Sequence, residues 1–123
     1  MQATHIVLLQ SDPKIASLLS SFLSDSFHGV HLAKSVDDLR HVAAKHQPSA
    51  IILDLEAASL SEVEELKREF HDTRIVCNHR VADEDMWTRT LTAGADDFCR
   101  SSDVRAILSA ATPAAAKARI MVA

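Results

Sequence analysis

The most constraining feature of this sequence is a fivefold alternation of short apolar runs with stretches of helical periodicity. The apolar runs, such as Ile6–Leu9 and Ala50–Leu53, are typical of strands that are buried on both faces of a sheet. Between them, apolar residues recur at positions three and four apart, as they do from Ile15 to Leu23. This alternation predicts a parallel sheet covered by helices on both faces, with right-handed crossovers.

The element boundaries follow from the apolar runs and from capping residues. The predicted strands are Ile6–Leu9, Gly29–Ala33, Ala50–Leu53, Arg74–Cys77 and Asp97–Cys99. The predicted helices cover residues 13–23, 36–47, 59–70, 82–93 and 102–111, the second of them ending before Pro48. The expected helix starts are Asp12 before Pro13, Ser35 with Asp38, Ser59 with Glu62, and Ser102. Gly94 is expected to end the fourth helix.

Length and composition narrow the class of protein. A chain of 123 residues fits one domain, which we assign to residues 1–112, and the alanine-rich residues 113–123 extend the last helix or fray. A net charge of −4, few aromatic residues and the lack of a Lys/Arg run argue against direct binding of nucleic acid. There is no apolar run long enough to cross a bilayer and no signal-peptide pattern, so we expect a cytoplasmic protein that does not bind membranes.

The candidate ligand site is the sheet edge formed by the carboxyl ends of the strands, where open α/β sheets bind ligands. The residues expected there are Gln10, Ser11, Asp12, Asp54, Glu56, Asn78, His79, Arg100, Ser101 and Ser102. Asp54 ends a buried run, and two interpretations stay open: a nucleophile or metal ligand, or a carboxylate that caps the loop through backbone N–H groups.

No other catalytic pattern is present. The sequence has no phosphate-binding glycine motif and no nucleophile elbow, so we do not expect an enzyme. Its seven histidines are expected to be solvated, except His79, which lies at the sheet edge. Cys77 and Cys99 are expected to be buried free thiols on neighbouring strands.

Three segments resemble response-regulator receiver domains of the CheY-like type. Residues 6–13 are similar to the first strand and turn of that family, and residues 48–55 are similar to the segment that carries its phosphoacceptor aspartate. Residues 93–98, Ala-Gly-Ala-Asp-Asp-Phe, match its turn into the fifth strand. The resemblance implies a flavodoxin-like, doubly wound (βα)5 three-layer sandwich with five parallel strands in the order 2-1-3-4-5.

The resemblance also implies which site residues are kept and which are lost. Asp54 matches the phosphoacceptor, and Phe98 matches the aromatic switch position. Gln10 and Ser11 replace an acidic pair that helps to hold Mg²⁺, and Ser101 replaces the lysine that follows the fifth strand. His79 stands at the Thr/Ser position, with Asn78 as the alternative, and Asp12 is better explained as the helix cap.

These departures predict a degenerate receiver, or pseudo-receiver, with no cofactor. Mg²⁺, with Asp54 as its one candidate ligand and Glu56 as a possible addition, would be expected only if phosphorylation occurs. Without the lysine, the expected partners of Asp54 are His79 or the hydroxyls of Ser11 and Ser101.

Three functions follow, in order of preference. The first is a protein-interaction or homodimerisation module that uses the fourth helix, the fifth strand and the fifth helix, with Trp87 and Leu91 on the partner surface. The second is a phosphorelay response regulator that a histidine kinase phosphorylates on Asp54. The third is a small-molecule binder at the sheet edge.

Overall fold

The computed structural model describes residues 2–112, with side chains from Thr4 onward. The strands are β1 (Gln2–Leu9), β2 (Phe27–Leu32), β3 (Ala50–Asp54), β4 (Arg74–His79) and β5 (Asp97–Arg100). The helices are α1 (Pro13–Ser24), α2 (Val36–His46), α3 (Leu60–Glu69), α4 (Glu84–Thr92) and α5 (Val104–Ala111). The predicted extension or fraying of residues 113–123 lies outside the described residues.

The five strands form one parallel sheet in the order β2-β1-β3-β4-β5, which confirms the flavodoxin-like fold. The order reverses between β1 and β3, and in doubly wound sheets this switch point opens a crevice at the carboxyl ends of the strands. Gln10 and Asp54 therefore lie side by side at that crevice, one after β1 and the other at the end of β3.

Alternating side chains of each strand form two separate cores. On one face, Val7, Ile51 and Ile75 pack with buried residues of α2 and α3. On the other face, Ile6, Ile52 and Val76 pack with buried residues of α1 and α5. Because β3 is buried at every position, the site at its end is supported by a closely packed strand.

Several element boundaries differ from the sequence-based prediction. β1 begins at Gln2, β2 covers Phe27–Leu32, and β4 reaches His79 because the parallel ladder continues along β3 and β5. The predicted Ser102 cap is wrong: Asp103 begins α5 and accepts a hydrogen bond from the Ala106 N–H.

The two predicted capping boxes, at α3 and α2, have different outcomes. Ser59 and Glu62 form a reciprocal capping box at α3, as predicted. At α2, the Ser35 hydroxyl accepts from the Asp38 N–H. The Asp38 carboxylate, however, accepts from the backbone N–H of Lys34 and not from that of Ser35, so the capping box is incomplete.

Gly94 ends α4 with φ of +113°, a conformation that side-chain-bearing residues rarely adopt. The left-handed turn directs the chain into Ala95 and Asp96, whose carboxylate accepts from the Ile75 N–H and from the Lys67 ammonium. The segment that resembled the family's turn thus ties α4 to β4 and α3.

The two cysteines are free and buried, as predicted. Burial is the main cause that raises the pKa of Cys77 to about 12 and that of Cys99 to about 11. They lie in different cores on opposite faces of the sheet. Neither thiol is therefore a reactive nucleophile at neutral pH.

Three histidines depart from the expectation of solvated side chains. His5, His31 and His46 are each only partly exposed, and their rings cluster on the α2 face of the β1–β2 pair. Burial, followed by the charges of His46, His5 and Lys45, lowers the pKa of His31.

Over residues 2–112, the longest apolar helical stretches fall short of what crossing a bilayer requires.

Candidate functional site

Asp54 is almost completely buried, and its carboxylate accepts three hydrogen bonds from two loops. Oδ2 accepts from the Ser11 backbone N–H at 2.9 Å and from the Ser11 hydroxyl at 2.5 Å. Oδ1 accepts from the Glu56 backbone N–H at 2.9 Å. The carboxylate therefore holds the loop after β1 against the loop after β3, which is the capping interpretation left open above.

Beside Asp54, three neutral side chains form a hydrogen-bonded chain. The Asn78 amide donates to Gln10 Oε1 at 2.7 Å, and the Ser101 hydroxyl donates to Asn78 Oδ1 at 2.8 Å. Asn78 is fully buried and Ser101 is 4% exposed, so this part of the chain is shielded from water, whereas Gln10 is partly exposed. We call it the Gln10–Asn78–Ser101 chain.

Glu56 is paired with the cation of Arg80. Its carboxylate forms a fork-like ion pair with Arg80, with N–O distances from 2.7 to 3.0 Å. The hydrogen bond and the charge of Glu56, followed by the charges of Asp54 and Asp12, raise the pKa of Arg80. The sequence analysis missed Arg80, although it stands one position past His79 and follows the same strand.

Of the three partners expected for Asp54, the structure uses Ser11 only. Ser101 donates to Asn78. His79 Nδ1 accepts from the Val81 N–H at 3.0 Å, so the expected pairing of His79 with Asp54 is not formed. Asp12 accepts from the Lys14 N–H and caps α1, as predicted.

The remaining predicted residues lie on β5 and α4. The Phe98 ring is buried in the core on the α2 face of the sheet. On α4, Met86 and Ala93 pack into this core and Thr90 is buried, whereas Trp87 is 48% exposed and Leu91 is partly exposed.

The donor set around Asp54 does not fit Mg²⁺, which takes octahedral oxygen ligands and is usually held by carboxylates with waters. The Gln10 oxygen accepts from Asn78, and the Glu56 carboxylate is paired with Arg80. Asp54 is thus left as one carboxylate whose two oxygens already accept three hydrogen bonds.

An open cleft adjoins this edge of the sheet between α2 and α3. It is lined by Leu9, Lys34, Ser35, Val36, Asp37, Ala57 and Glu62. Glu62 is committed to the capping box and Ser35 to the start of α2, whereas the charged residues Lys34 and Asp37 are exposed. Binding of a small molecule stays a prediction.

No family model matches the chain, and no curated protein matches it. Solved structures do match it. A response regulator protein from Burkholderia pseudomallei, with a phosphorylated aspartic acid, calcium ion and citrate, is 21% identical with a TM-score of 0.77, over 98% of this chain and 73% of that one. The BeF3-activated receiver domain of Klebsiella pneumoniae RstA is 20% identical with a TM-score of 0.72, over 96% of both chains. A two-component response regulator from Clostridium difficile is 17% identical with a TM-score of 0.75, over 87% of this chain and 90% of that one. These likenesses show that the chain has the receiver fold.

Proposed function

We propose that this chain is a degenerate receiver domain of two-component signalling that acts mainly as a protein-interaction module, with phosphorylation of Asp54 impaired. The shared fold supports the receiver assignment. The observation that carries the second part is the neutral Gln10–Asn78–Ser101 chain, in which Gln10 stands at one position of the family's acidic pair and Ser101 at that of its lysine.

An acyl phosphate on Asp54 would bring additional negative charge into the site. Its negative charge requires cationic or metal partners in a partly buried site. Each hydrogen bond to a charged group contributes about 1.5 to 3 kcal/mol, or roughly ten- to a hundredfold in equilibrium. Among residues 2–112, Asp54 forms no ion pair. Modification of one oxygen would also disturb the hydrogen bonds that this oxygen accepts, from Ser11 at Oδ2 or from the Glu56 N–H at Oδ1.

One observation favours the second candidate, a working phosphorelay receiver. The Arg80 guanidinium is close enough for the charge of Asp54 to act on its pKa. If it left Glu56, it could offer a planar pair of donors to phosphoryl oxygens and so replace the lysine in part. A histidine kinase would then be the upstream partner, as the sequence analysis expected.

Beryllofluoride binding separates the two candidates. We expect no Mg²⁺-dependent bound resonance in ¹⁹F NMR of the full chain at millimolar beryllofluoride, and a spectrum equal to that of Asp54→Asn. A bound resonance that requires both Mg²⁺ and Asp54 would establish the phosphorelay receiver. Loss of that resonance in Arg80→Ala would then identify the substitute cation.

The proposed partner surface is formed by α4, β5 and α5, with Trp87 as its anchor. Trp87 is 48% exposed, and Val81, in the loop before α4, is 59% exposed. Tryptophan is enriched among residues that dominate binding energy. A partner protein or a second copy of the chain would bury both side chains. The cytoplasmic location expected from the sequence stays part of this proposal.

Trp87→Ala is expected to change the free energy of unfolding by less than about 1 kcal/mol, because half of the side chain is already in water. Trp87 is the only tryptophan, so its fluorescence reports on this surface alone. We expect emission typical of a hydrated indole in dilute protein, and a blue shift when the surface is covered.

Phe22→Ala is the matched control for this surface. Phe22 is 42% exposed on α1, which lies on the face of the sheet opposite to α4 and Trp87. Association measured by sedimentation should weaken in Trp87→Ala and stay unchanged in Phe22→Ala. A loss of about 3 kcal/mol in stability on truncating Trp87 would instead show a core residue and contradict the anchor role.

A further inference from the structure

Three histidines from separate elements converge on the α2 face of the sheet, where β1 pairs with β2. His5 is on β1, His31 is on β2, and His46 is the last residue of α2. One nitrogen from each ring lies within 4.8 Å of the others. His5 Nδ1 and His31 Nε2 are 3.0 Å apart, and the rings of His31 and His46 stack with centroids 3.7 Å apart. We call these residues the histidine triad.

The backbone is shaped around the triad. Gly29 pairs with His5 in the ladder between β1 and β2, and a Cβ at Gly29 would lie 2.4 Å from His5 Nδ1 and 3.0 Å from His31 Nε2. Only a glycine therefore leaves room for both ring nitrogens. On the helix side, Gln47 takes a left-handed conformation with φ of 48°, which ends α2 with His46 against the sheet.

We propose that the histidine triad binds a divalent transition metal of the zinc class, with water in the remaining coordination position. Imidazole nitrogens are preferred ligands of Zn²⁺, and three protein ligands with one open position are a known arrangement for it. A tetrahedral site with Zn–N bonds of about 2.0–2.1 Å places its ligand nitrogens roughly 3.3 Å apart. The separation between His5 and His31 is already near this value, and His46 needs only a side-chain adjustment.

The coordination step needs no co-reactant. The proton between His5 Nδ1 and His31 Nε2 moves, by exchange with water, to the other nitrogen of the ring that carried it, so both rings ligate as neutral imidazoles and no net proton is released. The partial exposure of all three side chains leaves an entry path for the ion. The bound metal would link the end of α2, through His46, to strands β1 and β2, through His5 and His31.

The test is a Zn²⁺ titration of the full chain, prepared without a polyhistidine tag, by isothermal calorimetry and thermal unfolding. We expect one site per chain and a rise in Tm of about 5 °C or more at saturation, since a ligand that binds only the folded state stabilises it. Co²⁺ should give the intense visible absorption of a tetrahedral site. Mg²⁺, which prefers oxygen ligands, should have no effect on Tm.

His46→Ala should weaken Zn²⁺ binding by about tenfold or more. His41→Ala is the matched control, since His41 is an exposed histidine on the same helix, and it should leave affinity unchanged. Equal affinities in the two variants, or no Zn²⁺-dependent rise in Tm of the wild type, would overturn the proposal. The site is independent of Asp54, so Asp54→Asn should bind Zn²⁺ like the wild type whichever function is correct.

Discussion

Asn78→Ala is expected to lower the free energy of unfolding by about 3 kcal/mol, which is a large part of the 5–15 kcal/mol typical of a domain. Asn78 is fully buried and provides both a donor and an acceptor to the Gln10–Asn78–Ser101 chain. Its truncation leaves the Ser101 hydroxyl unpaired away from water, at a cost of about 1–3 kcal/mol, and creates a cavity. Urea denaturation of the two proteins measures the difference.

Two variants at the ends of the chain provide a graded control. Ser101→Ala removes one hydrogen bond from a buried position and should cost less than Asn78→Ala. Gln10→Ala should cost least, because Gln10 is partly exposed and water can replace it as a partner. An Asn78→Ala protein within about 0.5 kcal/mol of the wild type would show that the chain contributes little to stability.

The second large effect is a gain of binding. The triple substitution Gln10→Asp, Ser11→Asp and Ser101→Lys places two carboxylates and one ammonium around Asp54. These charges supply the oxygen ligands that Mg²⁺ prefers and a cation for phosphoryl oxygens. We expect Mg²⁺-dependent beryllofluoride binding at least about tenfold tighter than that of the wild type, since each charge-assisted hydrogen bond is worth about 1.5–3 kcal/mol.

The control for this gain is the same triple substitution combined with Asp54→Asn, which should abolish binding. Far-ultraviolet circular dichroism must first show that both proteins are folded, because the substitutions remove two partners of Asn78 and one of Asp54. A folded triple variant that binds no better than the wild type would mean that the three departures are not what impairs the site.

The parallel sheet and its two cores could be expected from the sequence because they depend on patterns repeated along the whole chain. Buried runs such as Ile51–Leu53 and capping residues such as Asp12 and Ser59 are local patterns, and a local pattern can be recognised without knowledge of the fold. The family resemblance supplied the order of the strands, which alternation alone does not determine.

Side-chain partners at the site were harder to predict because they depend on distances that no local pattern contains. Ser11 was one of three candidates for Asp54, and the backbone N–H that accompanies its hydroxyl decides the choice. The ion pair of Glu56 with Arg80 joins residues from two loops. The histidine triad was missed because His5 and His31 share a face only once the β1–β2 register is known.

Intact-mass spectrometry after incubation with acetyl phosphate and millimolar Mg²⁺ tests the central claim most directly. We predict that the wild-type chain keeps its unmodified mass, as Asp54→Asn does, because Asp54 is engaged by Ser11 and Glu56 and lacks a cationic partner. A Mg²⁺-dependent phosphoryl adduct in the wild type that is absent from Asp54→Asn would contradict the account and establish a working phosphoacceptor.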